Sequence, residues 1–311
     1  MSVVAMGELL IDFVAQESGV TVGEASGFQK APGGAPANVA VAVARLGAPS
    51  AFIGQVGDDP FGHYLADVLE AEGVDVTGLR YSDKARTMLA FVSLAADGER
   101  SFQFYRHPSA NMLMTPQDVA DDIIDKYKIF HFGSITLIDE PERSATLAAV
   151  QYAQEHGLRI SYDPNLRLAL WPDEDAARAG LLSGFEYAHI VKLSEEEVEF
   201  LTGGFDPRAL WRDQTEIIVV TAGAAGATLY TRDAQYHQPG YRVTAVDTTG
   251  AGDSFVAALL VSLIEMGDNP DYDALLRFAN AVGAITTTER GAIPALPTRE
   301  QAQALLAQKA I

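Results

Sequence analysis

The chain has no cysteine, which removes a disulfide framework, a thiolate nucleophile and any zinc or iron–sulfur site built on sulfur. Positive charge is scarce too. Against 42 Asp and Glu stand only 22 Lys and Arg, a formal net charge of −20, which repels phosphate backbones and anionic headgroups and argues against nucleic-acid or membrane partners. Six scattered histidines, with no His-Glu-x-x-His pattern, offer little to a transition metal. No apolar run reaches the roughly 20 residues that a spanning helix needs. Met1 leads straight into the strand-like Val3-Val4-Ala5-Met6 without a basic, cleavable leader, so the expectation is a cytoplasmic protein. Internal repeats, low-complexity tracts and long polar linkers are also lacking. What remains is 311 residues, 48% hydrophobic and 9% aromatic, enough for one large α/β domain with a sizeable core.

Apolar runs alternate with amphipathic stretches along most of the chain, the pattern of βαβ units covering a largely parallel sheet. Strands are expected at Val3 to Gly7, Ala51 to Val56, Ile129 to Phe132, Arg159 to Tyr162, His189 to Leu193 and Ile217 to Thr221. Helices are expected at Ala35 to Leu46, Phe61 to Ala71, Pro116 to Lys126, Pro141 to His156, Glu174 to Leu182, Glu195 to Leu201 and Val256 to Met266. One segment breaks this rhythm. Met88 to Ala95 and Glu99 to Arg106 read as a hairpin turned at Ala96-Asp97-Gly98, because Asp-Gly favours tight turns between strands. Phe102 and Phe104 alternate there with Ser101, Gln103 and Tyr105, so one face is apolar. Such a hairpin suits a lid over a site, a dimerisation flap or an edge decoration.

The stretch Asp247-Thr248-Thr249-Gly250-Ala251-Gly252-Asp253 runs directly into a helix. Two glycines around one alanine let backbone N–H groups converge where the helix dipole is positive, which makes an anion hole at Gly250, Ala251 and Gly252. It is neither a Rossmann turn, since Phe255 stands where the third glycine belongs, nor a Walker loop, which needs a lysine. Asp253 reads in two ways. It caps the helix, or it takes a proton from a hydroxyl that attacks a phosphoryl group held by the amides. Asp247 and Thr249 add oxygen ligands for a hard or monovalent cation.

Nearer the start, Asp12 follows the first strand and Gly33-Gly34 opens a helix with Asn38 in its first turn. Together they supply donors and acceptors suited to sugar hydroxyls, or simply a tight turn and a cap. Arg106 closes the hairpin and Arg167 follows Asp163-Pro164-Asn165-Leu166. These arginines suit an acidic substrate, a phosphate, or carboxylates of the protein itself.

Gly33-Gly34 with Asn38, and Asp247-Thr248 through Asp253, together resemble the two signatures of the ribokinase-like (PfkB) carbohydrate kinases, over essentially the whole chain. Phe104-Tyr105-Arg106, Tyr162 to Leu168, Leu170-Trp171-Pro172 and Gly291 to Pro297 are most similar to the fructokinases of that family. The resemblance implies a single three-layer α/β/α domain over residues 1–311, with a mostly parallel central sheet and a small β-sheet lid from segments 13–32 and 86–107. It implies Asp253 as catalytic base and the Gly250, Ala251 and Gly252 amides as anion hole. Asp12, Gly33, Gly34 and Asn38 would hold the sugar, with Arg106 and Arg167 nearby. Lys192 and Glu197 would meet phosphate and Mg²⁺, with Ser194 where the family has Asn. Glu195 and Glu196 read instead as a solvated first helical turn. Thr221, Gly223 and Gly226 would form the nucleotide turn, and Asn280 would line the adenine pocket. Asp247, Thr249 and Gly291 would hold K⁺.

The implied activity is ATP-dependent phosphorylation of D-fructose to fructose 6-phosphate. The alternatives are a 2-keto-3-deoxygluconate kinase, in which Arg106 and Arg167 grip the substrate carboxylate, and a non-catalytic sugar- or nucleotide-binding protein. Exposed Phe102 and Phe104 would suit a homodimer through the lids, although a monomer covering its own site fits the sequence equally.

Overall fold

The computed structural model describes residues 2–94 and 100–308, with the side chains of 94 and 100–102 left aside. In chain order the strands are β1 (Val3–Met6), β2 (Leu10–Ser18), β3 (Phe28–Gly33), β4 (Ser50–Gly57), β5 (Asp75–Ser82), β6 (Met88–Leu94) and β7 (Arg100–Tyr105). They continue as β8 (Ile129–Gly133), β9 (Arg159–Asp163), β10 (Ile190–Ser194), β11 (Ile217–Thr221), β12 (Ala227–Tyr230) and β13 (Gln235–Gln238). The helices are α1 (Ala35–Arg45), α2 (Pro60–Ala71), α3 (Asp121–Ile124), α4 (Glu142–Glu155), α5 (Glu174–Phe185), α6 (Glu195–Thr202), α7 (Ala251–Met266), α8 (Tyr272–Thr286) and α9 (Arg299–Gln308).

Side chains of β1 sort by parity, Val3 and Ala5 into one apolar cluster, Val4 and Met6 into the other. A strand buried on both faces in this way requires helices above and below its sheet. Helices α1, α2, α7, α8 and α9 contribute to the first cluster, and α3, α4, α5 and α6 to the second. Among the described residues the sheet runs β13-β12-β11-β10-β9-β8-β1-β4-β5, parallel except for the last two pairings at the β13 edge. Strand order reverses around β1, and the carboxyl ends of parallel strands beside such a switch point form the usual ligand crevice.

The second sheet, β3-β2-β6-β7, stands apart. It begins at Leu10, so Asp12 pairs with Ala31 and Ala90 inside this small sheet and does not end the first strand of the main one, as the sequence had suggested. The cause is a break after Met6, where the chain leaves the main sheet before resuming as β2. The expected Ala96-Asp97-Gly98 turn and the exposure expected of Phe102 lie outside what is described. Phe104, expected to be exposed, is half-buried against Leu10, Met88 and Ala90. Aromatic groups cluster instead around Phe91, which stacks on Phe13 at 5.1 Å and meets the edges of Phe28 and Tyr105 at 5.1 and 5.3 Å.

The continuous helix expected from Pro116 to Lys126 is not formed. Thr115 and Asp118 make a reciprocal capping box on the single turn Pro116–Asp118, Val119 is extended, and the four-residue α3 follows. The capping box starts the turn at Pro116, and the extended backbone of Val119 ends it before α3 begins. The remaining expected elements fall within a few residues of their predicted places.

Candidate active site

Helices α1 and α7 bring their N-termini together at the crevice. At the start of α1, Gly34 adopts φ +115°, and a Cβ there would lie 2.3 Å from the Glu8 carbonyl oxygen. Only glycine tolerates both the dihedral and the approach. Glu8 Oε1 then accepts the N–H of Ala35 at 2.9 Å, satisfying one of the orphan amides of the helix. One turn along, Asn38 Nδ2 donates to Asp253 Oδ2 at 2.7 Å, joining residues 215 positions apart in sequence.

Gly250 caps α7 at φ +78°. Asp253 is therefore not the cap, and the first of the two sequence readings of this carboxylate falls away. It is buried, and its pKa is pushed up to about 6 by that burial, with the Asn38 hydrogen bond opposing the shift. A carboxylate tuned towards neutrality beside a helix N-terminus can accept a proton from a hydroxyl. Ala251 N–H closes a turn onto Thr248 O at 3.3 Å. Among the described residues no hydrogen bond occupies the N–H of Gly250 or Gly252.

A small cleft of about 170 Å³ is lined by Asp12, Gly34, Asn38, Arg167, Lys192 and Asp253, together with Glu8, Phe104, Ile135 and Asn165. Gly33 contributes by lacking a side chain, since a Cβ there would sit 2.2 Å from Asp12 Oδ2. Lys192 Nζ pairs with Asp163 Oδ2 at 3.2 Å and comes within 3.1 Å of where a Gly252 Cβ would be, so its ammonium group lies beside the glycine loop. Burial opposes that charge, yet Asp163, Glu197 and Asp253 hold the Lys192 pKa above its ordinary value.

A larger cleft of about 580 Å³ adjoins the first, lined by Thr221, Gly223, Gly226, Ala251, Gly252 and Asn280. Thr248 and Gly252 line both clefts, so the glycine loop is their shared wall. Asn280 spends its amide on the Gln238 and Pro239 carbonyls at 2.9 and 3.3 Å, pinning the chain after β13 to α8. Sequence reasoning missed Tyr241, Arg242, Val243 and Ala245 in this wall, because an irregular segment has no period to read. Gly283, one helical turn after Asn280, could have been found by spacing.

Three groups of expected site residues lie elsewhere or are otherwise engaged. Arg106 is fully buried away from the small cleft, its guanidinium 3.3 Å from Asp139 and 3.9 Å from Glu142. Glu197 uses both oxygens within the protein, accepting from Ser194 N and Leu166 N at 2.8 Å each. This is the capping box announced by Ser194 and Glu197 at their three-residue spacing. Asp247 gathers Thr249 and Gly291, accepting from Thr249 N at 2.9 Å, Thr249 Oγ1 at 2.7 Å and Gly291 N at 2.9 Å. Among the described residues no cluster of three or more acidic or histidine side chains is arranged to hold a metal ion. No helix among them is long and apolar enough to cross a membrane.

Relatives bear on this geometry. Residues 1–299 match the model of the pfkB family of carbohydrate kinases. Fructokinase-2 of Oryza sativa subsp. japonica is 50% identical over 317 residues, covering 99% of this chain and 94% of that protein. The crystal structure of fructokinase from Xylella fastidiosa with bound ATP superposes with a TM-score of 0.92 at 36% identity, covering 100% of this chain and 99% of that one. A fructokinase double mutant from Vibrio cholerae O395, with fructose, ADP and potassium ion bound, gives a TM-score of 0.87 at 37% identity over 98% of each chain. Two helix N-termini meeting at a glycine loop that walls two clefts, with a buried carboxylate lining the smaller one, thus sit in a chain that belongs to the pfkB family of carbohydrate kinases.

Proposed function

We propose that this protein is an ATP-dependent fructokinase, converting D-fructose and ATP to fructose 6-phosphate and ADP. The observation that carries the reading is the position of Asp253, buried at the glycine loop that walls both clefts. The larger cleft takes the nucleotide and the smaller one the sugar. The sugar's 6-hydroxyl oxygen attacks the γ-phosphorus, the bond from that phosphorus to the β-phosphate oxygen breaks, and the hydroxyl proton passes to Asp253. The Gly250 and Gly252 amides, the α7 dipole and the Lys192 ammonium hold the charge that develops on the transferred group. Asp12, the Gly33-Gly34 turn, Asn38 and Arg167 orient the sugar.

Mg²⁺ bound with the nucleotide would supply charge neutralisation for its phosphates. Glu197 and Asp163 would supply negative charge towards that ion, while their oxygens also accept from Ser194, Leu166, Lys192 and Asn165. K⁺ belongs beside Asp247, Thr249 and Gly291, where a fixed cation would strengthen the anion loop without touching substrate. The keto-acid alternative is weakened because Arg106 lies against Asp139 and Glu142, at 3.3 and 3.9 Å, and does not line the small cleft as Arg167 does. The aromatic group around Phe91, with Tyr105 60% exposed, supports a homodimer closed through the small sheets. A single-chain mass by light scattering would remove that part of the reading.

The test is ADP release with Mg·ATP, comparing fructose, 2-keto-3-deoxygluconate, ribose and adenosine, with K⁺ present or replaced by choline. A kcat/KM preference for fructose that weakens without K⁺ is expected. Preference for the keto acid, or no turnover with any acceptor, overturns the reading.

A further inference from the structure

Glu8 is absent from every sugar-kinase role assigned above, yet it lies wholly buried at the meeting point of α1 and α7. Its Oε1 is fixed on the Ala35 N–H at 2.9 Å, while Oε2 has no hydrogen-bond partner among the described residues. Asn38, three residues further along α1 and so on the same helical face as Ala35, shows the matching defect. With Nδ2 given to Asp253, its Oδ1 is buried and has no donor. Glu8 and Asn38 both line the small cleft, and among the described residues each keeps one buried acceptor without a donor, a deficit that one shared proton fills.

We propose that Glu8 is a positioning residue whose carboxyl carries a proton, donated from Oε2 to Asn38 Oδ1, and that this proton locks the Asn38 amide with Nδ2 facing Asp253. The direction of the amide decides which carboxylate is the base. With Nδ2 on Asp253, that carboxylate is the acceptor and stays ionised, ready to take a hydroxyl proton. With the amide turned over, Oδ1 would face Asp253, which would then need the proton itself and could not act as base. This inference rests on Asp253 being the base of the proposed reaction.

The surroundings agree. Burial pushes the Glu8 pKa up to about 7, with backbone hydrogen bonds and Arg167 opposing and Asp253 adding to the rise. Behind it Glu142, on α4, is pushed up to about 8, chiefly by burial, with Asn111 and Arg106 opposing and Asp139 adding to the rise. Asp139 lies beyond, against Arg106. A region this rich in buried carboxyls retains protons near neutrality because each further charge is poorly solvated.

Two substitutions separate a proton donor from a mere filler. Glu8→Gln keeps an acceptor for Ala35 and replaces the O–H by an amide N–H, whereas Glu8→Met keeps the volume and removes both. The Gln variant should hold kcat within about threefold of the parent, and the Met variant should lose roughly tenfold or more, with KM for ATP little changed in either. The parent's kcat should fall as pH rises through about 7, when Glu8 gives up its proton, and the Gln variant should lack that alkaline limb. Infrared difference spectra of parent minus Gln variant at about pH 6 should show one protonated carboxylic carbonyl band, a readout that needs no turnover and no correctly folded Met variant. Equal damage in both variants, an alkaline limb unchanged by Gln, or absence of the band overturns the proposal. A parent that phosphorylates none of the sugars but keeps the band overturns the fructokinase reading and leaves the Glu8 proton in place.

Discussion

Two glycine turns open the two helices that meet at the site, and they are glycine for different reasons. At Gly34 the backbone itself is the obstacle, because a Cβ at φ +115° would stand 2.3 Å from the Glu8 carbonyl oxygen. At Gly252 the nearest obstacle is the end of a flexible side chain, Lys192 Nζ at 3.1 Å. The first turn is a packing joint that lets α1 start against the end of β1. The second leaves space and free amides where a phosphoryl group can sit. Glycine in a motif therefore signals close approach in both cases, but only the neighbours tell whether protein or ligand is approaching.

The largest effect should come from the residue both turns serve. Asp253→Asn should retain nucleotide and sugar binding by calorimetry while kcat falls about 10²- to 10⁴-fold, the range for losing a general base. Unchanged turnover would remove the carboxylate from the mechanism and leave the contrast between the turns without chemical meaning.

Paired alanine substitutions sharpen the contrast next. Gly34→Ala should destabilise the fold by several kcal/mol, since strain and a backbone clash combine, seen as a large drop in melting temperature. Gly252→Ala should melt close to the parent yet raise KM for ATP or lower kcat by roughly tenfold, because Lys192 must move from the loop. Equal losses of melting temperature would erase the distinction.

The smallest effect is a pH limb. Asp253 has its pKa raised to about 6 and must be ionised to act, so kcat/KM for fructose should rise with pH through about 6, on the acid side of the fall expected when Glu8 loses its proton near 7. A limb that persists unchanged in an otherwise active Asn38→Asp variant would detach it from the Asn38 hydrogen bond.

Much of the fold was legible in the sequence because burial on both faces of a parallel strand leaves a local mark. The runs around Val4, Phe130 and Val191 needed only side-chain hydrophobicity to be read. The helix expected from Pro116 failed at Val119, whose extended backbone ends the turn that the Thr115–Asp118 capping box starts. The site was half legible. Glycines before a helix announce an anion hole, and Asp253 is conspicuous beside them. Arg106 looked like a ligand because nothing local reveals that Asp139 and Glu142 will face it. Glu8 went unnoticed because an acidic residue after a strand is ordinary until its burial is known.

Sequence alone determined the layered α/β architecture, the two glycine turns and the chemical types gathered near them, since periodicity and backbone sterics act over a few residues. Tertiary structure decided that Asn38 reaches Asp253 across 215 positions, that one arginine lies in the cleft while the other lies against carboxylates, and that Glu8 is buried with a raised pKa. The two contacts, and the raised pKa of Glu8, depend on desolvation and on partners from distant segments, quantities that do not exist until the chain has folded.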